Sequence, residues 1–352
     1  MANKGEWSEL YALFQILGEG KIHAGDAKLN KLSSPVYPIL HVLRNDIVND
    51  FEIDSIRNIV ITHGNASKTF PMVDFLKEAT SLLTQLQTIK GRSFNIPSTQ
   101  AFMGSIGVSK IKAPSTNKAD IELVIHDPVT SMINQLGFSI KSQLGSPSTL
   151  LNASGATNFV YKINGNMNVT NMNYINSIPD HINRVAAIFK AGCTLTYDHL
   201  DNSQFLANLL FIASDLPKLL AECLIEDSKT TGGNLASISN KIASANPLKY
   251  PTSNFMSIYE NRMKQLLVAA ALGMVPSKPW NGYYTAPGGY IVVKTNGDVI
   301  CYHFYNRNLL EDYLYNNTKF ERGGRHKHGF GEIYQIGNDF YIKLNLQIRF
   351  LV

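Results

Sequence analysis

Two neighbouring segments of this chain have the two-residue period of β-strands. In residues 120–126 large aliphatic side chains alternate with Asp120, Glu122 and a valine, so the two carboxylates point the same way. Residues 138–143 repeat the pattern and carry Lys141 on their polar face. If the two strands pair, acidic side chains and Lys141 share one face of a sheet.

Apolar side chains at three- and four-residue spacing predict several helices. The first runs from about Glu6 to Leu17, and Glu6 and Glu9 lie on a stripe beside its apolar face. These two glutamates could form a solvated edge, which is the commoner arrangement, or belong to a metal site. The clearest helix begins at Pro71 and carries apolar side chains as far as Ile89. Further helices are predicted near 181–191, 202–226 and 255–273.

The remaining segments are mixed. Residues 98–118 are rich in Ser, Thr, Gly and Lys and are predicted to form a loop. Residues 290–303 predict a hairpin, because Asn296-Gly297 suits a tight turn. Strands and helices therefore combine in an α/β (α+β) fold, a mixed sheet flanked by helices with additional helical and hairpin elements.

Composition sets the broad class. The chain has 352 residues, of which 44% are hydrophobic and 17% charged, as in ordinary globular proteins. Neither a long apolar run nor a signal peptide is visible, so a cytoplasmic protein with no membrane partner is expected. Cys193, Cys223 and Cys301 are odd in number and lie among apolar residues, which favours reduced core thiols over disulfides or zinc. A net charge of +5 permits an anionic partner.

Asp120 and Lys141 are the residues that suggest chemistry. Hydrolysis of a phosphodiester needs carboxylates that hold a hard divalent cation, and a cation or base near the attacking water. The two residues supply such a pair in the right order. The pair is a weak signal by itself, because strand faces that carry both acids and lysines are common.

The segment after Lys141 offers many groups that can contact a nucleic acid. Its hydroxyls and amides are of the kind that bind phosphate oxygens without reading sequence, although a solvated turn has the same composition. The candidate DNA-binding residues here are Gln143, Ser146, Ser148, Thr149, Asn152, Ser154, Thr157 and Asn158.

A basic segment near the end of the chain is a second candidate for DNA contact. It contains Arg322, Arg325, His326, Lys327 and His328, and arginine can grip guanine through two hydrogen bonds in the major groove. A solvated hairpin loop is an equally good interpretation. A transition-metal site at His326 and His328 ranks lower, because no cysteine or carboxylate partner is evident.

Several longer blocks of the sequence resemble the HpaII family of type II restriction endonucleases. The match runs from end to end, and its blocks are specific, whereas the Asp and Lys pair alone is shared by the broader PD-(D/E)XK nuclease superfamily. The blocks are KGEWSE at 4–9, DI at 120–121, GFSIKS at 137–142, TLLNAS at 149–154, TNF at 157–159 and LNLQIRF at 344–350.

The resemblance implies Mg²⁺-dependent cleavage of double-stranded DNA at CCGG. It makes Asp120 the metal-binding acid and Lys141 the catalytic lysine. Ser139 occupies the place where the superfamily usually has Asp or Glu, so one metal ligand is missing there. Glu6, Glu9 or Glu122 would supply it.

The resemblance also implies an organisation and partners. Residues 1–200 would form the nuclease core with its N-terminal helices and 201–352 a helical and hairpin part that recognises DNA, or the whole chain would form one integrated domain. A DNA methyltransferase of the same specificity would act alongside the protein, and a homodimer is one arrangement that the resemblance allows. Two rival hypotheses are a non-catalytic, sequence-specific DNA-binding protein whose acidic cluster is structural, and a protein-interaction scaffold.

Overall fold

The computed structural model describes residues 1–43, 50–54, 57–63, 66–111, 119–229, 233–251, 253–322 and 329–351. The helices are α1 (Lys4–Glu19), α2 (Met72–Thr88), α3 (Pro97–Ser105), α4 (Val169–Ser177), α5 (His181–Lys190), α6 (Ser203–Ile212), α7 (Leu216–Ser228), α8 (Leu235–Ala245), α9 (Phe255–Leu272) and α10 (Arg307–Asn316). The strands are β1 (Lys21–Gly25), β2 (Lys31–Leu43), β3 (Asp50–Ile53), β4 (Asn58–His63), β5 (Ala66–Pro71), β6 (Ile121–His126), β7 (Ile133–Ser142), β8 (Thr149–Leu151), β9 (Asn158–Asn164), β10 (Thr194–Leu200), β11 (Gly289–Val293), β12 (Val299–His303), β13 (Thr318–Phe320), β14 (Ile333–Ile336), β15 (Asp339–Asn345) and β16 (Ile348–Phe350).

The chain divides into two compact units. Residues 1–148 and 284–313 form the first, and 149–283 and 314–351 form the second. The first contains a nine-stranded sheet in the order β1-β12-β11-β7-β6-β2-β3-β4-β5, with parallel pairs at β7–β11 and β1–β12. The predicted α+β class with a mixed sheet is confirmed. The functional division at residue 200 stays a prediction.

The two strands that the sequence singled out lie side by side in this sheet. β6 and β7 pair antiparallel, with Ile121 opposite Phe138 and Glu122 opposite Gly137. β7 begins at Ile133, five residues before the predicted start at Phe138. Phe138, Ile121, Leu123 and Ile125 are buried, as the alternation predicted. The predicted pairing is therefore confirmed.

Helix α1 is fixed at both ends and along one side. The Asn3 side chain and Glu6 form a capping box at its start, and Gly20 takes the left-handed conformation at its end, with φ 66°. A Cβ on Gly18 would come within 2.6 Å of the Leu76 side chain, so this glycine permits the close approach of α1 to α2. Trp7 and other apolar residues of α1 are fully buried in the core of the first unit.

The predicted hairpin at 290–303 is confirmed as β11 and β12. Asn296 Oδ1 accepts a hydrogen bond from Asp298 N at 3.0 Å, and Gly297 has φ 91°, as the turn requires. Tyr11 on α1 donates its hydroxyl proton to Gly297 O at 2.5 Å, which ties the turn to the first helix. The hairpin lies inside the sheet, because β11 pairs with β7 and β12 with β1.

Two predictions about regular structure were wrong. Residues 98–118 were expected to form a loop, but 98–105 belong to α3, which begins at Pro97, where the missing amide proton costs nothing in a first helical turn. Residues 106–111 lie outside helices and strands as expected, and 112–118 lie outside the described residues. The helix expected over 202–226 is two helices, α6 and α7, with extended backbone at Ala213 between them. Pro217 explains the break, because its ring would clash with the carbonyl of residue 213 in a continuous helix.

The second unit has two small sheets. Strands β10-β9-β15-β14 form one and β13-β16-β8 the other, and all of their pairs are antiparallel. The buried Tyr161 on β9 donates its hydroxyl proton to Ala221 O in α7 at 2.9 Å, joining sheet and helix. Among the described residues, the helices are all too short or too polar to cross a lipid bilayer.

Acid should destabilise the first unit through His303. Its ring is 1% exposed, stacks on Tyr37 and accepts a hydrogen bond from Tyr305 N through Nδ1. Burial lowers the pKa of His303 from 6.5 to about 4, against a smaller opposing effect of Asp127. The unfolded chain therefore binds this proton first as the pH falls. We expect the free energy of unfolding to drop by up to roughly 3 kcal/mol from this group between pH 6.5 and 4.

Urea unfolding across that pH range measures the effect. The variant His303→Phe should be less stable at pH 7, since Tyr305 N loses its acceptor, but its stability should fall less steeply with acid. An equal slope in wild type and variant would contradict this assignment.

Candidate active site

Asp120 is held firmly where β6 begins. Its amide donates to Phe138 O at 2.8 Å, which ties the residue before β6 to strand β7. Its carboxylate oxygen Oδ2 accepts hydrogen bonds from Ile140 N at 2.7 Å and from Ser139 Oγ at 3.1 Å. Within the described part of the chain, the hydrogen bonds of this carboxylate are all made by Oδ2. The other oxygen can therefore serve a ligand.

A cavity of about 480 Å³ is formed entirely by residues of the first unit, and Asp120 is not part of its wall. Ile140, whose amide binds Asp120, is part of its wall. The wall combines positive, negative and hydroxyl groups, and its residues are Asn3, Lys4, Gly5, Glu6, Glu9, Gly91, Arg92, Ile140, Lys141, Ser142, Gly145, Ser146 and Ser148.

Helix α1 is attached to β7 by two hydroxyl groups. Ser142 Oγ donates to the fully buried Ser8 Oγ at 2.8 Å, and Ser8 Oγ donates to Lys4 O at 2.7 Å. These bonds bring the start of α1 against the end of β7. Glu9 and Lys141, far apart in the sequence, therefore line the same cavity.

The three glutamates that could replace the acid missing at Ser139 lie in different places. The half-buried Glu9 lines the cavity. Glu6 also lines it, but its Oε2 accepts a hydrogen bond from Asn3 N at 2.9 Å as part of the helix cap. Glu122 lies two residues along β6 from Asp120, does not line the cavity, and accepts a hydrogen bond from Gln135 Nε2 at 2.7 Å. Their positions relative to the cavity and their hydrogen bonds thus distinguish the three glutamates.

Lys141 lies over an aromatic ring that sequence reasoning missed. Its Nζ is 5.4 Å from the ring centroid of Tyr290, a distance typical of cation–π contact. Tyr290 pairs with Ser139 across the parallel strands β7 and β11, and its side chain is 1% exposed. Burial, and then the neighbouring Tyr313 and Asp120, raise the pKa of Tyr290 well above its usual value. A buried, neutral ring therefore lies beneath the lysine.

The polar segment after Lys141 divides between the two units. Ser146 and Ser148 line the cavity. The amide of Gln143 donates to Val293 O at 2.9 Å and so continues the β7–β11 pairing. In the second unit, Thr149 starts β8, and Asn152 is exposed just after that strand.

The end of this segment forms a buried network within the second unit. Ser154 caps the short 3-10 helix Gly155–Thr157 and bonds Thr157 reciprocally. Asn345 Nδ2 donates to Asn158 Oδ1 at 2.6 Å, and Thr157 Oγ1 donates to Asn345 Oδ1 at 3.3 Å. Thr157 and Asn158 are 0% and 1% exposed. These side chains hold the turn together, and their role as DNA contacts stays a prediction.

Arg322, the first residue of the basic segment, forms an ion pair in the second unit. Its Nε lies 3.1 Å from Asp227 Oδ2, and Asp227 is 4% exposed. Burial raises the pKa of Asp227, against the lowering effect of Arg322. The other predicted readers, Arg325, His326, Lys327 and His328, lie outside the described residues.

The arrangement is suited to an enzyme that cuts phosphodiesters. A lysine and further acids line a cavity whose hydroxyls and cations attract an anionic backbone, and Ile140 in its wall binds the fixed carboxylate of Asp120. The sequence itself gives the family, because residues 3–350 match the model of the HpaII restriction endonuclease family. The chain belongs to the HpaII restriction endonuclease family, and it is thereby a restriction endonuclease, a nuclease that binds DNA.

A curated relative agrees with this family. The protein named Type II restriction enzyme HpaII, from Haemophilus parainfluenzae, is 42% identical over 355 aligned positions. The alignment covers 99% of this chain and 98% of the relative. No solved structure matches this chain.

Removing the Asp120 carboxylate should weaken the fold as well as the site. In Asp120→Ala the Ile140 amide loses its acceptor, and we expect a loss of about 1–3 kcal/mol in urea unfolding. Asp120→Asn keeps an oxygen that can accept this bond and should lose much less stability. Glu122→Ala, on β6 and hydrogen-bonded to Gln135 among the described residues, should stay within about 0.5 kcal/mol of wild type. Equal losses in the Ala and Asn variants would contradict the structural role of Oδ2.

Proposed function

We propose that this restriction endonuclease hydrolyses double-stranded DNA at a short palindrome, CCGG, with Mg²⁺ as its cofactor. The observation that carries the proposal is the cavity that brings Glu9 to Lys141, with the carboxylate of Asp120 fixed to Ile140 in the cavity wall. The name and whole-length similarity of the HpaII relative support the choice of site.

The residues present fit Mg²⁺, although no dedicated cage is visible. In the part of the chain that the structure describes, no group of three or more His, Cys, Asp or Glu side chains is arranged to hold a metal ion. Mg²⁺ is usually held by only one or two carboxylates, together with water and substrate phosphate oxygens. Asp120 and one further glutamate would therefore suffice, and when bound the ion would stabilise the charge that develops on the phosphate.

Glu9 is the preferred second carboxylate. It lines the cavity with Lys141, whereas Glu122 is turned to Gln135 outside the cavity lining. Glu6 lines the cavity too, but rotating it towards a metal would break its hydrogen bond to Asn3 N and uncap α1. The acid absent at Ser139 would thus be replaced from the first helix.

Each residue has a distinct task in the proposed reaction. Asp120 presents its second oxygen while Oδ2 stays bonded to Ile140 N. Lys141, supported by the Tyr290 ring, positions the attacking water and offsets negative charge on the phosphate. The water oxygen bonds to phosphorus in line with the P–O3′ bond, which breaks and leaves a 5′-phosphate and a 3′-hydroxyl.

The place of base reading and the partners are further parts of this proposal. We place base reading in the C-terminal half, with Arg322, Arg325 and Lys327 as candidates. A DNA methyltransferase of the same specificity would protect the host DNA, and two copies of the chain could share the two halves of a palindrome. Arg322 would have to leave Asp227 to reach a base.

Lys141→Ala should abolish cleavage and leave specific DNA binding detectable. The variant loses the charge next to the scissile phosphate but none of the contacts that fix register on the duplex. Cleavage of plasmid DNA in Mg²⁺, with EDTA as the blank, and a binding titration measure the two properties. Lys28→Ala, which changes an exposed lysine outside the cavity, is the matched control and should cut as wild type does. A Lys141→Ala variant that cuts at the wild-type rate would remove Lys141 from the mechanism.

The three glutamates can be told apart by changing each to glutamine. Glu9→Gln should lower the cleavage rate by at least about 100-fold, as expected for a metal ligand, and should weaken Mn²⁺ binding measured by calorimetry. Glu122→Gln and Glu6→Gln should retain both properties, and Glu6→Gln should also keep the helix cap, because the glutamine oxygen can still accept the hydrogen bond from Asn3 N. If Glu122→Gln were inactive while Glu9→Gln cut normally, the choice of Glu9 would be wrong.

A further inference from the structure

Resting on the proposed function, we propose that Lys4 and Arg92 form a second phosphate-binding site. It would take a phosphate of the DNA backbone close to the one that is cut. Both residues line the same cavity as Lys141, one from the first turn of α1 and the other from the segment that follows α2. Three positive side chains thus meet on one cavity wall from three separate parts of the chain.

The two segments are fastened to each other next to these residues. Ala2 and Phe94 form an antiparallel bridge, with Ala2 N donating to Phe94 O and Phe94 N donating to Ala2 O, each at 3.0 Å. The indole of Trp7 stacks on the Phe94 ring and donates to Phe94 O at 3.3 Å. Lys4 follows this bridge by two residues and Arg92 precedes it by two. Their backbones are therefore held in one arrangement before any ligand binds, which reduces the entropy lost on binding.

Gly91 gives the turn that delivers Arg92 to the cavity. Its φ of 130° is a conformation that residues other than glycine rarely adopt. Gly91 follows the end of α2 and immediately precedes Arg92. Gly91 itself forms part of the cavity wall. The carbonyl of Lys4 accepts the hydrogen bond from Ser8, so the first turn of α1 is anchored to β7 as well.

The charges of Lys4 and Arg92 face the cavity. Across the described residues, the side chains of Lys4 and Arg92 form neither a hydrogen bond nor an ion pair, although Glu6 and Glu9 line the same cavity. Other arginines of the protein, such as Arg184 and Arg322, are bound by carbonyls or carboxylates. A guanidinium and an ammonium that face a cavity together suit an anion with several oxygens.

A backbone phosphate is the anion that fits both the cavity and the family. A volume of about 480 Å³ exceeds what a single phosphate needs. It lies within the roughly 300–1,000 Å³ typical of ligand cavities, and so leaves space for the neighbouring sugar and phosphate. Contacts to phosphate oxygens fix the register of DNA without reading bases. Lys4 and Arg92 would therefore add affinity equally for every sequence and would align the scissile bond with Lys141.

The test is the salt dependence of DNA binding, measured on Arg92→Ala, Lys4→Ala and the double variant. Each lost phosphate contact should lower the slope of log affinity against log salt by about 1, and the double variant by about 2. Affinity at fixed salt should fall several-fold for CCGG-containing and unrelated duplexes alike. Titrations in Ca²⁺ instead of Mg²⁺ keep the DNA intact.

Two controls keep the result specific. Lys90→Ala removes an exposed positive charge two residues from Arg92 that does not line the cavity, and it should leave the slope unchanged. Arg92→Lys keeps the charge and should restore the wild-type slope. A wild-type slope in both Arg92→Ala and Lys4→Ala, or a loss confined to CCGG duplexes, would overturn the proposal.

The same variants distinguish a failure of the second phosphate site from a failure of the proposed function. If the wild type cuts DNA in Mg²⁺ and Lys141→Ala does not, unchanged salt slopes in the Lys4 and Arg92 variants reject only the second phosphate site. If the wild type binds DNA with a salt slope that Arg92→Ala reduces, but never cuts it, the phosphate site stands and the catalytic proposal fails. A wild type that does not bind DNA rejects both.

Discussion

The hydrogen bond from the Ile140 amide to Asp120 Oδ2 is the contact on which the site depends. It spans 2.7 Å and joins the residue before β6 to the strand that carries Lys141. The acid and the lysine therefore keep a fixed relation, because backbone pairing and a side-chain bond both hold it. Ser139, which stands where an acid would be expected, donates a second hydrogen bond to the same oxygen. Ser139 therefore orients the Asp120 carboxylate through a hydrogen bond and does not compete with that carboxylate for a cation.

The sequence predicted this half of the site because its signals are local. Alternating burial identified β6 and β7, and the turn chemistry of Asn296-Gly297 identified the hairpin. The helical stripe around Glu9 was also correct, although α1 extends beyond the predicted ends to Lys4 and Glu19. In each case the information lies within one or two turns of helix or one strand length.

The rest of the site depends on contacts between distant parts of the chain. Tyr290 lies beside Lys141 only because β11 inserts next to β7, about 150 residues later in sequence, as a parallel neighbour. Arg92 reaches the cavity through the bridge between Ala2 and Phe94, which no periodicity indicates. The burial of Asn158 with Asn345 was equally hidden, since a polar segment has the same composition in a solvated turn and in a buried network.

Asp120 and Glu9 are proposed to hold together the divalent cation that assists cleavage. A crystal structure with CCGG-containing DNA and Ca²⁺ measures this most directly. We expect a Ca²⁺ ion whose distances to carboxylate oxygens of Asp120 and Glu9 are roughly 2.3–2.6 Å, next to a phosphate that Lys141 also contacts. An ion bound by Glu122 in place of Glu9, or a scissile phosphate held away from Lys141, would contradict it.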